Sequence, residues 1–370
     1  VTSPRPASNA HVELLGRLLR PAGAGVHLVS TGRAAQEELQ RRLYGVPRVE
    51  DVAAAHAASL ARIGEARVVL LAVPSDVGAG FRRGSNLGPQ EIRTALLEER
   101  GPSLEALAGG PVVDLGDVLC VPQLLHDEML SDAQLRASRR ALYGDETEAL
   151  PVSPLSIAER VLDLVLALNP RVVPLVLGGD HSVAWPVAAA LHRARPGFGV
   201  VQIDAHTDLL PERLGVRYCF ATWTHHANAL IGRRGRVIQV GIRASGRDRA
   251  HWESLEDVRQ MWAADLLASP ERALDEIVAW VRESGVEEIY FSNDIDGTDA
   301  RWADATGTPE PGGLEPEHVL ALLERLAGVV RIGAADVVEV APPLSPTRTT
   351  VELAARYVRA TLAAIGRSRA

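Results

Sequence analysis

From Val68 onward the sequence predicts an α/β fold, with a parallel sheet covered on both faces by helices and a mainly helical extension ahead of it. Three observations carry this. Short continuous runs of Val, Ile and Leu recur along the chain: "ARVVLLAV", "VVDLGDVL", "VVPLVLGG", "GVVQIDA", "VIQVGI", "EEIYFSND" and "VVRIGAADVVEV". Strands that read as unbroken apolar runs are those buried on both faces, the usual state of a parallel sheet. Amphipathic stretches such as "PVSPLSIAERVLDLVLALNP" and "LEPEHVLALLERLAG" lie between the runs and supply the covering helices. Several runs also end in clusters of Asp and His, and functional groups in such sheets gather beyond the carboxyl ends of the strands.

Residues 1–66 read differently. "AAQEELQRRLYG" and "VEDVAAAHAASLARIG" are helical, broken by the turn signals "RPAGAG" and "YGVPR". The short apolar stretch "GVHLVS" is expected to add a strand. No catalytic grouping stands out in this extension, so packing or oligomer contact is its expected role. Residues 67–370 are expected to form the main domain.

Composition narrows the function. The chain has 370 residues, 46% hydrophobic and 23% charged, but only 4% aromatic, so its core must be aliphatic. A net charge of -8 and the absence of a basic stripe argue against nucleic acid as a partner. Cys120 and Cys219 are too few for a disulfide framework. "VTSPRPASNA" lacks the apolar stretch of a signal peptide and no segment approaches a membrane span, so a cytoplasmic location without membrane contact is expected.

The chemistry is concentrated at three strand ends. "PLVLGGDHS" delivers Asp180 and His181, "VVQIDAHTD" delivers Asp204, His206 and Asp208, and "EIYFSNDIDGTDA" delivers Asp294, Asp296 and Asp299. In extended chain, residues two apart face the same side, so Asp204, His206 and Asp208 converge. Each motif alone has a bland explanation as a polar turn. Together they would leave a cluster of uncompensated buried charge, which is strongly destabilising. Two divalent ions bridged by shared carboxylates remove that penalty.

"GGDHS", "DAHTD" and "SNDIDGTDA", in this order, resemble the three metal motifs of the ureohydrolases, the arginase and agmatinase family. The likeness continues in "PSDVGAGFRRGSNLGPQEIR", "GTPEPGGL" and "ADVVEVAPP" and covers roughly Val68 to the C-terminus. It implies a three-layer α/β sandwich, a pair of divalent ions and hydrolysis of a guanidino group to urea and an amine. By position, it implies that Asp204 and Asp294 bridge the ions. His181 and Asp208 would complete one coordination sphere, and His206 and Asp296 the other. Asp208 would also accept a hydrogen bond from the attacking hydroxide, and Glu339 would hold the substrate guanidinium. Manganese is the expected metal because the ligands are rich in carboxylate, with nickel, cobalt and zinc as alternatives. Relatives form trimers or hexamers, so a homo-oligomer is expected.

Two departures from the family pattern bear on substrate and proton transfer. The family's histidine–glycine pair after the second motif is missing; Tyr218 or Cys219 stands near that place. His225 and His226 follow in "WTHHANAL" and are the candidates for protonating the departing amine, beside the reading of them as surface or core histidines. The polar loop with which arginase grips a free amino acid is also not visible, and Arg213 and Arg217 occupy that region. They could bind a carboxylate or be solvated. The expected substrate is therefore a guanidino compound (a guanidino acid, an agmatine-like amine or a peptidyl arginine) rather than clearly free arginine. Hydrolysis of a formimino group is the alternative chemistry, and a non-catalytic metal-binding relative the alternative class.

Overall fold

The computed structural model describes residues 6–368. Nine strands form one sheet: β1 (Leu19–Arg20), β2 (Val68–Val73), β3 (Val112–Val118), β4 (Val173–Gly178), β5 (Gly199–Ile203), β6 (Val237–Ile242), β7 (Arg259–Trp262), β8 (Glu288–Asp294) and β9 (Arg331–Val338). Their order is β1-β3-β2-β4-β9-β8-β5-β6-β7. Every neighbouring pair is parallel except β1 with β3. Each of the apolar runs quoted above becomes a strand.

Both faces of the sheet are buried, which is why the runs do not alternate with polar residues. Val68, Leu70 and Ala72 of β2 join one apolar core, while Val69, Leu71 and Val73 join the other. Helices Pro316–Ala327 and Thr349–Arg367 cover the first face, and Pro154–Leu168 and Ala184–Ala194 cover the second. Among the described residues no helix is long and apolar enough to cross a membrane.

The extension ahead of Val68 packs on the second core through Leu15, Leu18, Leu60 and Ile63. Its strand is Leu19–Arg20, not the expected "GVHLVS", which runs as irregular chain. Gly25 explains the difference. It lies so close to the end of β3 that a Cβ there would come 2.5 Å from the Val118 carbonyl oxygen. Its N–H donates to the Asp117 carboxylate (3.1 Å) rather than to a strand partner, and Val29 is left exposed.

Asp117 also belongs to a buried ion cluster. The Arg93 guanidinium, 1% exposed, donates to Asp114 at 2.7 Å and to Asp117 at 2.5 Å. Arg93→Ala would leave both carboxylates without their cation beneath the extension. Breaking such a pair costs about 3–5 kcal/mol. Urea denaturation should show a loss of that size; a loss under ~1 kcal/mol would mean that water or another cation compensates.

Candidate metal centre and active-site cleft

The four central strands, β4, β9, β8 and β5, are adjacent in the sheet, and the segments leaving their carboxyl ends meet. β4 runs into a single helical turn, His181–Val183; β8 runs into another, Ile295–Gly297. Asp180 and Asp294 cap these turns by accepting the N–H groups of Ser182 and Asp296. The glycine before Asp180 has a steric reason: a Cβ on Gly179 would lie 1.8 Å from the Ser75 carbonyl oxygen. Asp208 and Glu339 are both held at positive φ, 52° and 63°, a costly backbone state for non-glycine residues that concentrates at functional sites.

The structure brings His181, Asp204, His206, Asp208, Asp294 and Asp296 together. His181 Nδ1 is 3.1 Å from a carboxylate oxygen of each of Asp204, Asp208 and Asp294. His206 Nδ1 is 3.1 Å from Asp296 and 3.5 Å from Asp204. Two groups able to hold an ion result, His181–Asp204–Asp208 and Asp204–His206–Asp296, sharing Asp204. Asp299 lies apart in function: it accepts the N–H groups of Gly312 and Gly313 and pairs with Arg301.

Hydrogen bonds behind the cluster determine which atoms face it. The Ser292 hydroxyl donates to Asp336, 3.0 Å from each oxygen, and the Tyr290 hydroxyl donates to the same carboxylate. With its proton committed, Ser292 Oγ accepts from His181 Nε2 at 3.0 Å. His181 Nδ1 then presents a lone pair, fully buried and without a hydrogen-bond partner, to three carboxylates. That arrangement is repulsive unless a cation lies between them, so the donor set fits divalent ions. Ser292→Ala should let the His181 ring reorient and weaken metal binding about 10- to 100-fold. Calorimetric titration with Mn2+ checks this, and an unchanged affinity would contradict it.

A chain of buried amides supports Asp204. Trp262 Nε1, which can only donate, bonds Gln260 Oε1 at 3.0 Å. Gln260 then donates to Gln239, Gln239 to Gln202 and Gln202 to Asp204, each at 2.7 Å. The three glutamines are paired in register across β7, β6 and β5. Trp223 Nε1 donates to Asp208 at 3.1 Å, and the Thr308 hydroxyl to Asp296 at 2.9 Å.

The charge states reflect crowding. Burial, with the neighbouring Asp204 charge, pushes the Asp208 carboxyl up to about 7. Burial followed by Asp296 and Asp204 raises Asp294 well above the usual carboxylate range. Burial works against ionised Asp204 too, yet His181 and His206 hold its pKa below the ordinary value. Burial disfavours charge on His206 as well, but Asp296 and Asp204 override it and push the ring up to about 12.

Glu339 lies beside the cluster. Its Oε1 accepts the His181 N–H at 2.8 Å, and the carboxyl closes a narrow slot lined by Gly80, Phe81, Arg82, Phe220, Gly307 and Thr308. Burial first, then the nearby Asp180, raises its pKa well above the ordinary value. A buried carboxyl in that state takes up a cation with gain. The slot shares Gly80, Phe81, Phe220 and Thr308 with a cleft of about 830 Å3 whose floor includes His206.

His225 and His226 are not directed into that cleft. Both lie on the helix Trp223–Leu230, and it is the preceding pair, Trp223 and Thr224, that faces the site, bonding Asp208 and Gln202. Each helical step turns the side chain away. His225 meets Glu256 at 3.2 Å, and His226 donates to or accepts from neither cluster but bonds the carbonyls of Pro211 and Arg217. Tyr218 is stacked on Trp185, with ring centres 4.6 Å apart. The further histidine in the cleft wall is His126, from a loop whose sequence carries no motif. Its Nδ1 accepts the Glu128 N–H, leaving Nε2 as the protonated nitrogen of the neutral ring.

Fold and site together define a class: an α/β sandwich with a carboxylate-rich pair of metal-holding groups at the carboxyl edge of its sheet. The profile of the arginase family matches residues 66–364, and the chain belongs to that family. It is accordingly a hydrolase of C–N bonds in linear amidines. It is 30% identical to guanidinobutyrase of Pseudomonas aeruginosa over 82% of this chain and 88% of the relative. It is equally 30% identical to agmatinase of Halalkalibacterium halodurans over 80% and 91%. Proclavaminate amidino hydrolase from Streptomyces clavuligerus has a similar structure, with a TM-score of 0.66 at 27% identity, covering 82% of this chain and 93% of the other.

Proposed function

We propose that the protein hydrolyses a guanidino compound to urea and an amine, with two Mn2+ ions held by His181, Asp204, His206, Asp208, Asp294 and Asp296. The observation that carries this reading is the slot at Glu339, which opens directly beside the metal-holding groups. A guanidinium stays charged at neutral pH, so a buried site for it needs a carboxylate. Glu339 offers one oxygen to the slot while the His181 N–H holds the other. Phe81 and Phe220 bound the slot and give it aromatic walls. Bound divalent ions would supply Lewis acidity and a water of lowered pKa for attack on the guanidinium carbon. Asp208 would accept a hydrogen bond from that water. Restricting the substrate to one plane removes rotational freedom before the reaction begins.

The departing amine needs a proton, and a donor must come within hydrogen-bond reach of it. His126 lines the cleft, as His225 and His226 do not, and would serve as that donor in its protonated form. A cytoplasmic setting and a trimeric or hexameric assembly belong to the same proposal. Urea release from a panel of guanidino and formimino compounds, with Mn2+- and Ni2+-loaded protein, tests it. Urea is expected from guanidino compounds only; formamide release from formimino substrates, without urea, would reject the reading.

A further inference from the structure

Above the Glu339 slot the cleft carries a charge pattern that distinguishes among guanidino compounds. Its wall is mostly apolar, built from Phe81, Leu125, Met129, Leu214, Val216 and Phe220. Among the described residues lining it there is no Asp or Glu, and Arg213 is the one Arg or Lys; Arg82 lines only the slot below. Arg213 is firmly placed. It pairs with Val216 through two backbone hydrogen bonds of 2.9 Å, and between them Leu214 and Gly215 have φ of 51° and 79°. Two successive positive φ values make the tight two-residue turn of a twisted hairpin. The Arg213 guanidinium carbon lies 5.4 Å from the centre of the Phe220 ring. That same ring bounds the slot at Glu339. One aromatic side chain thus links an anionic group at the bottom of the site to a cationic group at its rim.

We propose that Arg213 determines specificity, selecting guanidino acids, which carry a carboxylate at the end remote from the guanidino group, over agmatine-like diamines. This rests on the guanidino-hydrolase reading above. A remote carboxylate gains charge-assisted, bidentate hydrogen bonds from the Arg213 fork. A remote ammonium at Arg213 meets a like charge and apolar walls, with no Asp or Glu in the lining; Glu310 stands outside it, 3.8 Å from His206 Nε2. Sequence likeness does not decide between the two, since a guanidinobutyrase and an agmatinase are equally similar to this chain.

The experiment compares three probes of matched chain length, an ω-guanidino acid, its primary amide and the corresponding amine, in chains of three to eight carbons. Urea release is measured for the wild type, Arg213→Gln and Arg213→Glu at equal metal content. Arg213 is solvent-exposed, so the low end of the range for hydrogen bonds to charged groups applies. The wild type should prefer acid over amide by about tenfold or more in kcat/KM. The preference should lie chiefly in KM, because a group far from the reacting carbon is bound alike in ground and transition states. In Arg213→Gln the acid-to-amide ratio should fall toward one, and Arg213→Glu should shift selectivity toward the amine. Equal use of acid and amide by the wild type, or an acid preference that survives Arg213→Gln, would overturn the proposal while leaving the guanidino reading intact. Urea from none of the probes would overturn both.

Discussion

Asp204→Asn is expected to abolish metal pairing and, with it, activity. Asp204 is the residue common to both metal-holding groups, so its loss as an anion affects two sites at once. The substitution keeps the side chain's size and removes the charge that His181 and His206 face. Gln202 aggravates the change. Its Nε2 donates to Asp204 Oδ2, and the orientation of that amide is imposed from Trp262 through Gln260 and Gln239. An Asn amino group there would meet a donor with a donor. Replacing an outer partner of a metal site costs about 10- to 100-fold in affinity, and losing a shared ligand should cost more. Elemental analysis should find fewer than two ions per chain; two retained ions would remove Asp204 from the site.

Glu339→Gln is expected to lower kcat/KM while leaving metal content unchanged. The carboxyl is buried, bonded to the His181 backbone and open to the slot, and the variant leaves a guanidinium there without its counter-charge. Truncating one partner of a buried charge pair costs about 2–5 kcal/mol. That is a fall of roughly thirty- to several-thousand-fold, at tenfold per 1.36 kcal/mol. Near-normal turnover of a guanidino substrate would favour formimino chemistry, and loss of metal would make Glu339 part of the metal cluster itself.

How much of this could be read from the sequence follows from what a strand's pattern encodes. The runs from Val68 to Val340 are legible because strands buried on both faces must be apolar throughout. The groups at their ends are legible because clustered carboxylates and histidines need a shared cation. The non-sequential order that sets β4, β9, β8 and β5 side by side is not encoded in any one run. β7 carries no such signature because "RQMW" is short and half polar; only its pairing with β6 makes Gln260 intelligible as part of an amide chain. Ser292 and Asp336, on neighbouring strands, orient His181 from residues that look like ordinary strand polar positions. His225 and His226 look catalytic in sequence because they are near the second motif, but the helical turn carries their rings away from it. Arg213 is legible as a carboxylate binder, whereas the lack of Asp and Glu among the residues lining the cleft is a tertiary property.

The most direct test of the central claim is a titration of metal-free protein with Mn2+, following urea release from a guanidino acid at each step. Activity should rise with added metal and level off at two equivalents per chain, with urea and amine formed in equal amounts. Full activity in the chelated protein, saturation at one equivalent, or metal binding without urea from any guanidino compound would contradict the account.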